Sequence, residues 1–64
     1  MLKIGSRVKV TEQYSEMYPN VGIISYITPY NYYVTFPEDF TVDVPFRQYD
    51  LIELWNLYTY KNLW

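Results

Sequence analysis

The sequence contains no cysteine and no histidine. Without cysteine there is no disulfide staple, no thiolate metal site and no cysteine nucleophile. Without histidine the commonest general base and a principal zinc ligand are missing too. Ser6, Ser15 and Ser25 remain as hydroxyl nucleophiles, with nothing of that kind to activate them. Glu38-Asp39 is the only adjacent carboxylate pair, and neighbours in an extended chain point apart, which makes a poor acid–base couple. Asp39, Asp43 and Asp50 match no calcium-loop spacing. These absences predict a chain that is not an enzyme and uses neither metal nor cofactor.

Charge and long apolar runs are also in short supply. Five basic and seven acidic groups leave a net charge of −2, which excludes a strongly basic nucleic-acid wrapper and an acidic disordered tail alike. No run approaches the ~20 apolar residues of a membrane span. Lys3, Arg7 and Lys9 interrupt the N-terminal apolar stretch, so it does not read as a signal peptide. The expectation is a cytoplasmic protein without membrane contact. Alanine is absent while tyrosine occurs nine times, and that balance favours strands over helices. An AT-rich source, such as a phage, a plasmid or a low-GC bacterium, produces the same bias.

What is present is one domain's worth of chain. Sixty-four residues make a single small domain. Half of them are apolar, and even without the tyrosines they suffice for one core. Leu2 to Thr11 alternates with period two, placing Leu2, Ile4, Ser6, Val8 and Val10 on one face, with a bend at Gly5-Ser6. Glu12 to Asn20 reads as a long loop, with Met17 and Tyr18 folding back onto the core. Val21 to Ile27 is apolar on both faces, and Gly22 stands where a bulge or close backbone crossing needs it. Thr28 to Asn31 is a turn, Asn31 being suited to a left-handed conformation.

Tyr32 to Phe36 is a third strand with Tyr32, Val34 and Phe36 inward, and Pro37 to Phe40 turns the chain again. Thr41 to Phe46 places Val42, Val44 and Phe46 inward and Thr41 and Asp43 outward, with Pro45 suited to an edge. Arg47 to Asp50 suggests a single 3₁₀ turn, and Leu51 to Leu54 is a fifth strand. Five short strands separated by turn signals predict an all-β, small five-stranded barrel. Its core would be Val8, Val10, Ile23, Ile27, Val34, Phe36, Val42, Val44, Phe46 and Leu54. Trp55 to Trp64 is an aromatic C-terminal extension. A helix with Asp50 as N-cap and Glu53 at N3 would spread its polar residues right round the wheel. An extra strand or irregular segment packed on the barrel or a partner is preferred to a short helix.

The steps Ile4-Gly5-Ser6-Arg7-Val8-Lys9-Val10, Asn20-Val21-Gly22-Ile23-Ile24, Tyr33-Val34-Thr35-Phe36 and Leu51-Ile52-Glu53-Leu54 resemble those of small SH3-like barrels. KOW-type domains of elongation and ribosomal proteins and the stromal E subunit of photosystem I are the most similar branches. The resemblance covers residues 2 to 54. It implies an SH3-like barrel over residues 1–54, followed by the extension at 55–64. A KOW-like domain would also imply nucleic-acid or ribosome binding.

Two surfaces then carry candidate function. Lys3, Arg7 and Lys9 lie on one face of the first strand, as phosphate contacts of a nucleic-acid stripe or as a solvated face. Fourteen aromatic residues are more than so small a core accommodates, so several of Tyr14, Tyr18, Tyr30, Tyr33, Tyr58 and Tyr60, with Trp55 or Trp64, must reach the surface. Tyr and Trp dominate interface hot spots. The expected partner-binding residues are Tyr30, Trp55, Tyr58, Tyr60 and Trp64. The resulting expectation is a non-catalytic protein-binding module, either an accessory subunit or a phage-type effector docking on a host protein. Its partner would be another protein or a second copy. The alternative is a KOW-like nucleic-acid or ribosome-binding module.

Overall fold

Alternation turns into strands wherever both faces of the pleat have a use. The computed structural model describes residues 2–54, and within them five strands form: β1 (Arg7–Val10), β2 (Gly22–Ile27), β3 (Tyr32–Phe36), β4 (Thr41–Phe46) and β5 (Leu51–Glu53). Short 3₁₀ turns occupy Glu12–Tyr14, Pro37–Asp39 and Gln48–Asp50. All pairings are antiparallel, in the order β4-β3-β2-β1-β5. The protein is all-β, as its composition and periodicity predict. The sheet does not close into the expected barrel, for β4 and β5 are its two edges. Trp55 to Trp64, and with them the choice between strand, irregular segment and helix, lie outside the described residues. The rival helix start at Asp50 is not used, because Leu51–Glu53 is strand.

The core is Val8, Val10, Ile24, Val34, Phe36, Phe46 and Leu51, with Ile27, Tyr32 and Val44 half-buried against it. Gly22 makes this packing possible. It stands opposite Val8, and a Cβ there would lie 2.3 Å from Val34 Cγ1 and 2.9 Å from Phe36 Cε1. The missing side chain is therefore the space that two core residues of β3 fill, the close approach expected of a strand glycine.

Register explains where the expected core was misassigned. Because Val8 faces Gly22, Arg7 faces Ile23, so Ile23 points outward and its neighbour Ile24 takes the core position. In β4 the error has a different source. Val34 pairs with Val44 but Phe36 pairs with Thr41, so Val42 and Asp43 together stand opposite Thr35. This bulge puts Asp43 at φ 54°, and an extra residue reverses every face beyond it. Val42 is consequently 68% exposed, while Thr41 is half-buried. Asp43 is fixed by its N–H donating to Thr35 Oγ1 at 3.3 Å and its carboxylate accepting from Ser25 Oγ at 2.6 Å.

Other corrections are local. The bend at Gly5-Ser6 is present, with Gly5 at φ 94°. It turns Ile4 out of the sheet into solvent. Tyr18 does fold back, stacking on Phe36 at 4.9 Å and meeting Phe46 edge-on at 5.4 Å. Met17 remains exposed. Asn31 keeps a negative φ, and the left-handed residues are Phe40 and Asp43 instead. Leu54 is half-buried, and Leu51 provides the fifth strand's core contact.

Candidate functional site

An aromatic-lined concavity forms where the β2–β3 turn meets the third 3₁₀ turn. The turn is closed by Thr28 N–H donating to Asn31 O at 2.9 Å, while Asn31 N–H donates to Thr28 Oγ1 at 3.0 Å. Tyr30 N–H shares the same hydroxyl at 3.3 Å. A threonine side chain thus fixes the loop that carries Tyr30, as hydroxyl-bonded turns do. Tyr32 opens β3 and faces Phe46 across the ladder. Tyr49 is presented by Gln48–Asp50, a turn anchored from beneath by Asp50.

Asp50 is buried. Its carboxylate accepts from Gln13 Nε2 at 3.0 Å and from Arg47 N–H at 3.3 Å, and its carbonyl accepts from Thr11 N–H at 2.9 Å. These bonds tie the loop after β1 to the turn that presents Tyr49. The result is a groove of about 290 Å³ lined by Thr28, Pro29, Tyr30, Tyr32, Arg47, Gln48 and Tyr49. Tyr30 and Tyr49 are 75% and 77% exposed. Three phenol rings beside a proline and a guanidinium set aromatic faces among polar groups, a surface suited to a peptide.

Of the expected partner-binding residues, Tyr30 reaches this groove. Trp55, Tyr58, Tyr60 and Trp64 lie outside the described residues. Tyr14 and Tyr18, which were candidates for the surface, instead cover the core, Tyr14 meeting Phe46 edge-on at 5.6 Å. Tyr33 is half-buried on the outer face, 6.0 Å from the Tyr26 ring. Sequence reasoning missed Tyr49 and Phe40. Tyr49 was absorbed into a connector, though a large residue next to a buried turn carboxylate has only the outside to occupy. Phe40, 94% exposed, sits at the β3–β4 turn where no strand register can direct it inward.

The basic stripe is divided. Lys3 and Arg7 are exposed and line a second groove of about 290 Å³ with Ile4, Gly5, Ser6, Glu53 and Leu54. Lys9 is half-buried and donates from Nζ to Pro19 O, bracing the long loop. Among the described residues no group of acidic, histidine or cysteine side chains is arranged to hold a metal ion, and no helix is long and apolar enough to cross a membrane.

No protein-family model matches the chain, and neither a curated protein nor a solved structure matches it significantly. The fold is therefore described by its own sheet order and register.

Proposed function

We propose that this chain is a non-catalytic protein-docking module of the SH3-like type, acting in the cytoplasm as an accessory subunit or as a phage-type effector on a host protein. The observation that carries the reading is the groove between Tyr30, Tyr32 and Tyr49. Two of its three tyrosines are about three-quarters exposed although the domain has a core that aromatics elsewhere help to fill. Exposed aromatics gathered in a concave site are what interface anchors are made of. The sheet order β4-β3-β2-β1-β5, with a 3₁₀ turn between β4 and β5, supports the SH3-like part of the reading.

The test compares the immobilised full chain with its Tyr30→Ala/Tyr49→Ala variant in lysate of the source organism, at low and high salt. The expected result is a protein retained by the first and lost by the second, with little salt dependence. Retention of nucleic acid that falls steeply with salt and depends on Lys3 and Arg7 would replace this reading with the KOW-like one.

A further inference from the structure

The β3–β4 turn carries a second aromatic feature of opposite shape. Phe40 is 94% exposed and held at φ 53°, ψ 34°, a left-handed backbone that bulky residues rarely adopt. The turn therefore projects a ring where glycine or asparagine would sit more easily. Strained, exposed aromatics of this kind are found where the strain serves a contact. The flanking Glu38 and Asp39 are exposed, and no lysine or arginine occurs between Tyr32 and Phe46. The prong is thus an aromatic tip on an acidic stem.

The tyrosine groove has the complementary character, with an exposed Arg47 beside its rings. Prong and groove stand at opposite ends of one hairpin. Tyr32 pairs with Phe46 at the groove end, and Phe36 pairs with Thr41 at the prong end. Five residues of strand separate them by about 15 Å, too far for Phe40 to reach the groove of its own chain.

We propose that Phe40 of one copy seats in the Tyr30–Tyr32–Tyr49 groove of a second copy, with Glu38 and Asp39 facing Arg47. This rests on the reading of that groove as a docking site and names a second copy of the chain as an occupant. The contact is head-to-tail, so each pair keeps one free groove at one end and one free prong at the other, which permits longer chains. One ring, burying ~150–250 Å², and a small charged rim fall well short of a standard interface. The association is accordingly weak, with Kd on the order of 0.1–1 mM.

Sedimentation velocity on the full chain, from about 10 μM to about 1 mM, tests this. Wild type is expected to reach a weight-average mass about twofold or more above the monomer at the top of that range. Phe40→Ser and Tyr30→Ala/Tyr49→Ala should each remain monomeric, with unchanged circular dichroism. Mixed in equal amounts, the two variants should form dimers and nothing larger, because together they supply one intact prong–groove junction. A wild type that stays monomeric throughout overturns the proposal, as does either variant associating like wild type, or a mixture that stays monomeric. The groove's role in partner docking is judged separately by the lysate comparison. Loss of a retained partner in the double tyrosine variant would uphold that reading even if self-association failed.

Discussion

Phe40 and Asp43 are the two non-glycine residues with positive φ among the described residues, and they differ in what holds them there. Asp43 has hydrogen bonds from Ser25 and to Thr35, and aspartate tolerates the left-handed region. Phe40 has a bond from its N–H to Pro37 O at 3.2 Å and almost no buried side-chain surface to offset its conformation. Left-handed backbone costs an L-residue with Cβ roughly 1–2 kcal/mol, and a glycine loses part of that gain to unfolded-state freedom. Phe40→Gly is therefore expected to raise unfolding stability by about 1 kcal/mol, read as an upward shift of the urea midpoint with unchanged slope. A downward shift would mean that the ring contributes packing. Period-two reading had no access to this residue, since alternation assigns faces but is silent on φ within a turn.

At the scale of the element, the third 3₁₀ turn depends on one buried carboxylate. Asp50 satisfies an amide from Gln13 and a backbone N–H from Arg47, groups drawn from two separate loops. Asp50→Ala removes two hydrogen bonds to a charged acceptor whose donors sit on exposed residues, a loss of roughly 1–2 kcal/mol. That loss should appear in chemical denaturation, accompanied by faster amide exchange at Tyr49 and in the loop after β1. A change under about 0.5 kcal/mol would show that water replaces the carboxylate freely. The strands themselves were legible because Val8, Val10, Val34, Phe36 and Phe46 obey a local rule. Ile23 and Val42 were misplaced because their faces depend on a partner strand, through Gly22 in one case and the Asp43 bulge in the other. The groove was half legible for a related reason. Tyr30 announces itself in a turn, whereas Tyr49 joins it only through the tertiary contact that Asp50 secures.

At the scale of the whole molecule, the buried residues among those described run from Ser6 to Leu51. A chain truncated after Asn56 is expected to keep the β-sheet circular-dichroism spectrum and a cooperative melt. Loss of either would assign residues 57–64 a share in holding the fold. The order β4-β3-β2-β1-β5 also has a kinetic meaning. Three of its four pairings join consecutive strands, but Val8 lies between Gly22 and Glu53, residues from near and far along the chain. The hairpins can zip as soon as their turns form, while the β1–β5 pairing must close a loop spanning nearly the whole domain, at the highest entropic cost of the four. Until β5 reaches it, β1 keeps one edge unpaired, so the β1–β5 pairing is the one expected to complete the described sheet.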